Sequence, residues 1–235
     1  MRKICCRYLE KELALDSGIF YDVVIENPDQ YYRFLSELRN QMNGLGDGPF
    51  CYSENENEKP LPSKCGLITD YFGFDVSDRK IITQLYRQLQ SGFRQSNLSE
   101  RFFALSTQMV QLMDELGECS PIPLSFDEEV DFQSFLKLMD AKPSLPESSF
   151  LEKLVEYFDI YASLMGIDVF WLADIKSFLS EPKLELLIKE ANLKKINLIN
   201  IENRLRCDIM VCEEVIVIDK DLCEFHPKRP SKTTT

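Results

Sequence analysis

The segment 65–93 places the tightest constraint on the fold, because a strand, a short aromatic connection and a long helix follow one another there. The apolar run 66–69 has the length of a strand and ends at Asp70. The connection 71–76 is rich in bulky apolar residues, which is typical of a packed joint. Ser77 is the expected N-cap of a helix whose apolar residues recur at helical spacing. The segment therefore predicts a sheet-containing head with a helical projection.

Apolar periodicity predicts the same alternation in the rest of the chain. Strands are expected at 19–25, 50–53, 167–172, 195–201 and 215–218. Helices are expected at 28–42, 77–93, 98–116, 125–139, 149–165 and 180–191. Strand–helix–strand order with short loops indicates parallel pairing. The predicted fold class is α/β, with a head made of residues 1–76 and 166–235, an inserted all-helical domain at 77–165, and a disordered tail at 227–235.

The predicted insertion has two features beyond its helical periodicity. One helix carries apolar residues at alternating spacings of four and three, the pattern of a coiled-coil seam. These residues are Leu98, Phe102, Leu105, Met109, Leu112 and Leu116. The seam fits either the core of a helical hairpin, the interpretation that we favour, or a contact between subunits. Capping boxes are expected for Asn97 with Glu100, Ser125 with Glu128, and Ser149 with Glu152.

Charge is unevenly distributed along the chain. The formal net charge is −12 and the sequence pI is about 4.7, which taken alone argues against nucleic-acid binding. However, residues 78–101 hold five basic side chains against two acidic ones, and residues 114–131 hold seven acidic side chains and no basic one. A basic face and an acidic cluster can therefore coexist on one molecule.

These two segments are candidates for phosphate and metal binding. The basic candidates are Arg79, Lys80, Arg87, Arg94 and Arg101. The acidic candidates, which offer the hard oxygen ligands that calcium prefers, are Asp127, Glu128, Glu129 and Asp131, with Glu118 nearby. Each set also has a plain structural explanation. Basic residues often form a solvated helix face, and acidic residues in a first helical turn complement the helix dipole.

Several other classes of protein are disfavoured. Asp70 and Asp174 end apolar strands, like the magnesium-side Asp of P-loop NTPases, but the GxxxxGK[ST] motif is missing and the glycine cluster 44–48 contains no lysine. A single histidine, His226, leaves no Ser-His-Asp or Cys-His constellation. Eight scattered cysteines without a CxxC pair argue against zinc and predict reduced thiols. Neither a signal peptide nor a membrane-spanning run is expected.

Four segments resemble the Csn-two family, the CRISPR-associated adaptation proteins of type II-A systems. The first, Leu67–Asp70 followed by Gly73–Val76, is similar to the family's strand ending in Thr-Asp and its Gly-Phe-Asp-Val step before a long helix. The others, in the same order as in the family, are Phe126–Glu128, Ile167–Leu179 and Lys195–Glu202. The first sixty residues match only by the order of their elements.

The resemblance implies a RecA-like, P-loop-like head without a nucleotide motif, an inserted helical arm, and a homotetrameric ring. It further implies a cytoplasmic, non-enzymatic protein of antiviral defence that binds double-stranded DNA ends through a basic central hole. Calcium would stabilise the ring. The protein would act in spacer acquisition beside the CRISPR integrase complex and the RNA-guided effector nuclease.

The family pattern carries over to particular residues. By resemblance, DNA phosphates would be contacted by Arg79, Lys80, Arg87, Arg94 and Lys137. Calcium would be bound by Asp127 and Glu128, to which the acidic run adds Glu129 and Asp131. The net charge of −12 is a departure, since it is acidic for a protein that encircles DNA.

Two alternatives to this function remain open. The first is a metal-dependent nuclease in which Asp127, Glu128 and Asp131 hold two metal ions. The second is a scaffold whose helical arm binds only other proteins of the adaptation complex.

Overall fold

The structure is a computed structural model that describes residues 1–15, 18–94, 96–206, 210 and 213–227. The described strands are β1 (Arg2–Cys6), β2 (Leu13–Ala14), β3 (Phe20–Ile25), β4 (Phe50–Glu54), β5 (Asn57–Lys59), β6 (Cys65–Ile68), β7 (Val169–Ala173), β8 (Asn197–Glu202), β9 (Glu213–Ile218) and β10 (Glu224–Phe225). The described helices are α1 (Pro28–Met42), α2 (Arg79–Arg94), α3 (Leu98–Cys119), α4 (Phe132–Leu138), α5 (Phe150–Met165) and α6 (Glu181–Leu193). The chain divides into two compact units, which we call the head (Met1–Phe74 with Leu145–Thr235) and the helical unit (Asp75–Ser144).

The head is built around a six-stranded sheet with the order β10-β9-β3-β8-β7-β6. β3, β6, β7, β8 and β9 run parallel, and β10 pairs antiparallel with β9. The sequences of β3 (FYDVVI) and β7 (VFWLA) are buried throughout, as expected for parallel strands covered on both faces. The prediction of an α/β fold with parallel pairing is confirmed.

Two apolar cores cover the two faces of this sheet. On one face, Phe34 of α1 lies with its ring centroid 6.1 Å from that of Trp171 on β7. On the other face, Phe158 of α5 packs against Phe170, the preceding residue of β7, at a centroid distance of 4.4 Å. Successive side chains of a strand point to opposite faces, so β7 contributes to both cores.

A smaller antiparallel sheet, which the sequence did not predict, has the order β2-β1-β4-β5. Its buried residues Ile4 and Tyr52 belong to the same core as α1. The sequence patterns of β1 (RKICC) and β5 (NEK) are short and rich in charge, and 57–59 is fully exposed. Pairing with neighbouring strands, and not periodicity, places these segments in a sheet.

The helical unit ends at Ser144, whereas the sequence predicted an insertion that continues to residue 165. The difference is α5, which begins with the predicted Ser149–Glu152 capping box. Leu154 and Phe158 of this helix are buried in the core of the head. Periodicity identifies the helix but does not show which body buries its apolar face.

The three helices of the helical unit share an aromatic cluster. The rings of Phe93 on α2 and Phe132 on α4 stack with centroids 4.0 Å apart, and Phe102 on α3 lies edge-on to both at 5.6 and 5.5 Å. In addition, the Tyr86 hydroxyl donates a hydrogen bond of 3.2 Å to the Leu136 carbonyl oxygen, which holds α4 against α2.

One predicted helix start and two predicted capping boxes are wrong. The helix expected from residue 125 begins at Phe132, because Asp131 acts as its N-cap and accepts hydrogen bonds from two backbone amides. Ser125 and Glu128 therefore form no capping box. Asn97 precedes α3, but its side chain makes no capping hydrogen bond.

The apolar seam of α3 is largely uncovered within the chain. None of the 22 residues of this helix is buried. Leu105, Leu112 and Leu116 are 55%, 56% and 50% exposed. The hairpin-core interpretation thus accounts for Phe102 but not for the C-terminal part of the seam.

Within the described ranges, no helix is long and apolar enough to cross a membrane. The predicted disordered tail lies, apart from Pro227, outside the described residues.

Candidate functional site

One face of α2 is the candidate nucleic-acid interface. Arg79, Lys80, Arg87 and Arg94 belong to this helix, and all four are exposed. At 3.6 residues per turn, their positions fall within an arc of about 100°. The two buried residues of the helix, Ile81 and Tyr86, lie outside this arc, roughly 100° beyond Lys80 and roughly 20° beyond Arg79, so the basic arc borders the buried face at its Arg79 end. Arg101, the remaining basic residue of the pattern, lies on α3.

The cations of this face are available to a ligand. In the part of the chain that the structure describes, neither these four residues nor Lys137 of α4 forms an ion pair within 4.0 Å. Lys137 is exposed and follows Leu136, the residue that Tyr86 bonds, so the same contact ties it to α2. We call the five residues, Arg79, Lys80, Arg87, Arg94 and Lys137, the basic face. An unpaired cation gives up no protein partner when it binds a phosphate.

The acidic candidates lie in an irregular segment before α4. Asp127, Glu128 and Glu129 are exposed, and no described helix or strand includes them. Asp131 is the N-cap of α4, and its Oδ1 accepts hydrogen bonds from the amides of Gln133 and Ser134 at 2.9 and 3.0 Å. Hydrogen bonding to Ser134 is the main reason that the pKa of Asp131 lies below its ordinary value.

These acids do not form a complete metal site within one chain. Among the described residues, no group of three or more His, Cys, Asp or Glu side chains is placed to hold a metal ion. Calcium takes six to eight oxygen ligands, and one carboxylate oxygen of Asp131 already accepts the hydrogen bonds of the helix cap. The side chains are chemically suitable for calcium, but their arrangement in a single copy is not a full coordination shell.

The N-terminus of α1, which corresponds to the helix end where P-loop proteins bind phosphate, is already capped in this head. The connection from β3 to α1 contains no glycine, and Asn27 caps the helix by accepting from the amides of Asp29 and Gln30 at 3.1 Å. Glu26 and Asp29 add negative charge at the same helix end. The free N–H groups and glycines that would cradle a phosphate are therefore missing.

The two strand-end aspartates have structural partners instead. Asp70 Oδ1 accepts hydrogen bonds from the amides of Phe72 and Gly73 at 2.8 and 3.2 Å, which forms the turn after β6. Asp174, in the left-handed conformation with φ 55°, accepts a 2.6 Å hydrogen bond from the Tyr31 hydroxyl at Oδ2. Burial, followed by the bond to Asp174, raises the pKa of Tyr31 well above its ordinary range.

A buried ionic network lies beneath the 3₁₀ turn after β7, and sequence reasoning missed it. Lys176 Nζ lies 2.6 Å from Asp22 Oδ2 on β3 and also pairs with Glu213 on β9. Asn200 on β8 donates to Asp22 Oδ1 at 2.6 Å and to Glu202 Oε1 at 3.1 Å. The signal for this network was an aspartate within the apolar run FYDVVI, since a charge in a buried strand needs a partner.

The electrostatics of the network follow from its burial. Desolvation raises the pKa of Asp22 from 3.8 to about 6, although Lys176 and Asn200 oppose the change. Burial alone would lower the pKa of Lys176, but Asp22 and Glu213 raise it above its ordinary value. The lysine is therefore charged at neutral pH, and its role is that of an internal counter-ion.

Together these features define a class: an α/β protein with a mainly parallel sheet and an inserted helical unit that carries an exposed basic face. A family profile described as CRISPR-associated protein (Cas_Csn2) matches residues 45–222. The match covers most of the chain, so the chain belongs to this CRISPR-associated family, the one that its motifs resemble.

One solved structure supports the fold. Stu0660 of Streptococcus thermophilus has a TM-score of 0.52 and 13% identity over 97% of this chain and 76% of that chain, a likeness that shows the fold alone. A metal-chelate type ABC transporter in an inward-facing conformation has a TM-score of 0.45 and 10% identity, with coverages of 97% and 84%. The ATP-binding cassette MJ1267 in its ADP conformation has a TM-score of 0.43 and 12% identity, with coverages of 97% and 91%. The last two likenesses carry no argument, and no curated protein matches the chain.

Proposed function

We propose that the protein binds double-stranded DNA through the basic face, as a non-enzymatic, ring-forming component of CRISPR spacer acquisition. The observation that supports this most directly is the cluster of exposed cations on one arc of α2, none of which has an ion-pair partner among the described residues. Membership of the CRISPR-associated family supplies the biological setting.

The mode of binding follows from the chemistry of this face. Arginine and lysine side chains on a helix surface contact the phosphates and sugars of DNA. Such contacts position the protein on the duplex but do not read the DNA sequence. Each phosphate contact releases counterions. A plot of the logarithm of the association constant against the logarithm of the salt concentration therefore has a slope of about −0.9 per contact. A closed ring adds a topological requirement, because it can be threaded only by DNA that has a free end.

The first test measures salt dependence with matched charge changes. We expect Arg87→Gln to weaken binding of a linear duplex at every sequence tested and to reduce the salt slope by about 1. The control is Arg39→Gln, which removes an exposed arginine from α1 in the head. Equal effects of the two changes would refute an interface on α2.

The second test concerns DNA ends. Linear duplexes should be bound, and a closed circle of the same sequence and length should compete poorly until one cut is made. Equal competition by the uncut circle would rule out threading. Nicking or cutting of either DNA in magnesium or manganese, lost in Asp127→Asn, would replace the non-enzymatic proposal with a nuclease.

Calcium enters the proposal through the acidic segment. Asp127, Glu128 and Glu129 supply hard oxygen donors, and because one chain does not gather them into a full shell, further oxygens would come from water or from a second copy. The proposed assembly is a homotetramer, for which the uncovered seam of α3 offers an apolar contact surface. The proposed location is the cytoplasm, beside the integrase complex and the effector nuclease.

A further inference from the structure

A cleft of about 920 Å³ opens at the carboxyl ends of β3, β6, β7 and β8, four neighbouring strands of the parallel sheet. The carboxyl ends of the strands are where open α/β sheets bind ligands, and the volume suits a molecule of drug or cofactor size. The cleft lies wholly within the head and includes none of the residues of the basic face. It is therefore a second candidate site, independent of the proposed DNA interface.

One side of the cleft offers hydrogen-bond acceptors. Glu26 lines it from the β3–α1 connection, and Asp174 lines it from the end of β7. Tyr31 bonds one oxygen of Asp174, while the other oxygen, Oδ1, is buried and has no hydrogen-bond partner among the described residues. A buried acceptor without a donor costs free energy. The side-chain torsion of an aspartate is soft, so the carboxylate can turn to bring this oxygen to a ligand. A ligand hydroxyl in the cleft can thus supply the donor that this carboxylate lacks.

The lining also offers positive charge. Arg204 is exposed and makes no ion pair within the described part of the chain. Arg206 is held beside it, with Nε 3.0 Å from Glu202 Oε2 and Nη1 donating to the Lys176 carbonyl oxygen at 3.3 Å. Guanidinium groups suit phosphate because their N–H donors match its oxygens.

Part of the lining of the cleft is apolar. Ile25, Leu35 and Phe178 line it, and the Phe178 ring is 42% exposed. A flat aromatic group would bury apolar surface against the exposed Phe178 there. Acceptors for hydroxyls, guanidinium for phosphate and an apolar wall for a ring therefore converge on one cavity.

The placement of the negative charges restricts the ligand further. The α1 end is capped by Asn27 and flanked by Glu26 and Asp29, so a chain of phosphates along that helix end is disfavoured. Arg206 already bonds the Glu202 carboxylate, the Lys176 carbonyl oxygen and the Ser177 hydroxyl, which leaves Arg204 to bind one phosphate. The charge pattern thus favours a monophosphate over a triphosphate.

We propose that this cleft binds a nucleoside monophosphate, with sugar hydroxyls at Asp174, the phosphate at Arg204 and the base against Phe178. No bond of the ligand is broken, and no metal is needed. The binding is separate from the proposed contact with duplex DNA.

The test is calorimetric titration of the full chain with AMP in the presence of a chelator. We expect saturable binding by the unaltered protein, and Arg204→Glu should weaken it at least tenfold, since a charged hydrogen bond is replaced by repulsion. Arg39→Glu, which reverses an exposed arginine outside the cleft, should leave the affinity unchanged. Adenosine should bind more weakly than AMP and should be insensitive to Arg204→Glu.

Contrary outcomes are equally definite. Absence of saturable binding by the unaltered protein, equal losses in Arg39→Glu and Arg204→Glu, or adenosine binding as tight as AMP would each overturn the proposal. Arg87→Gln should reduce DNA binding and leave AMP affinity intact, so failure of one site is distinguishable from failure of the other. Asp174→Asn, which keeps the acceptor for Tyr31, should weaken ribose-bearing AMP more than inorganic phosphate.

Discussion

At the scale of single residues, Lys176 is the group on which the buried polar part of the head depends. Its side chain is 10% exposed, and the Asp22 and Glu213 side chains that it pairs with are 0% exposed. Two carboxylates that lie out of contact with water need a cation at this position. The Lys142–Asp140 pair in the helical unit has a similar separation, 2.7 Å, but its side chains are 50% and 79% exposed.

We expect Lys176→Met to lower the free energy of unfolding by about 3–5 kcal/mol, because it leaves buried carboxylates without a counter-ion. Lys142→Met is the matched control, and it should leave the free energy of unfolding almost unchanged, since exposed ion pairs contribute little. Urea unfolding followed by circular dichroism measures both. A cost for Lys176→Met as small as that of the control would show that the buried network does not stabilise the head.

The raised pKa of Asp22, about 6 against an ordinary 3.8, gives a pH dependence with a definite sign. The folded state holds the proton more tightly than the unfolded state, so this group stabilises the fold below about pH 4 and loses that contribution as pH rises through about 6. Asp22→Asn cannot titrate. The unfolding free energy of the unaltered protein, relative to Asp22→Asn, should therefore fall between pH 4 and pH 6.5; a constant difference would contradict the shift.

At the scale of elements, α3 shows how a helix can be correctly predicted while its partner is not. Its length and seam follow from the sequence, and its Phe102 joins the aromatic cluster with Phe93 and Phe132. However, Leu112 and Leu116 remain half exposed in the chain. Such a stripe on a 22-residue helix suits a second copy of the same helix.

We expect Leu112→Glu to weaken self-association and to change the free energy of unfolding of the isolated chain by less than about 0.5 kcal/mol, because the side chain is 56% exposed. Gln111→Glu adds the same charge one position off the seam and should leave association unchanged. Sedimentation velocity gives the first quantity and urea unfolding the second. A large loss of stability without loss of association would show that the seam packs in the core of the helical hairpin and not between subunits.

At the scale of the whole molecule, the chain combines a net charge of −12 with a basic face on α2 and α4. The net charge of the chain therefore says little about its ligand, because binding depends on the electrostatic potential at the binding surface. The acidic segment 127–131 lies in the same unit as the basic face. Binding of a divalent cation there would reduce the negative charge of that unit.

The mass in solution tests the assembly. With calcium we expect light scattering to give four copies of the 27.3 kDa chain, and with a chelator a smaller mass. Asp127→Asn with Glu128→Gln should show the smaller mass even when calcium is present. The control, Glu147→Gln with Glu156→Gln, removes two exposed acids from the head and should remain tetrameric. A monomer under all conditions would rule out the ring and, with it, the threading mechanism.

Much of the architecture was predictable from local pattern. The buried strands β3 and β7, the start of α1 at Asn27 and Pro28, and the capping box of α5 are all properties of short stretches. The basic face was also predictable, because helical spacing alone places Arg79, Lys80, Arg87 and Arg94 on one arc. These features depend on steric preferences and periodicity, which a sequence displays directly.

Tertiary structure decided the features that depend on partners distant in sequence. The small sheet forms because β1 pairs with β4 some fifty positions away, as in Ile4 opposite Tyr52. α5 joins the head because its apolar face meets Phe170, and Lys176 becomes a counter-ion because Asp22 lies beneath it. Local pattern in the sequence predicted most of the helices, the buried parallel strands and the places where charge gathers. Only the folded chain decided which apolar face meets which, since burial and pairing energies arise between residues that the sequence keeps far apart.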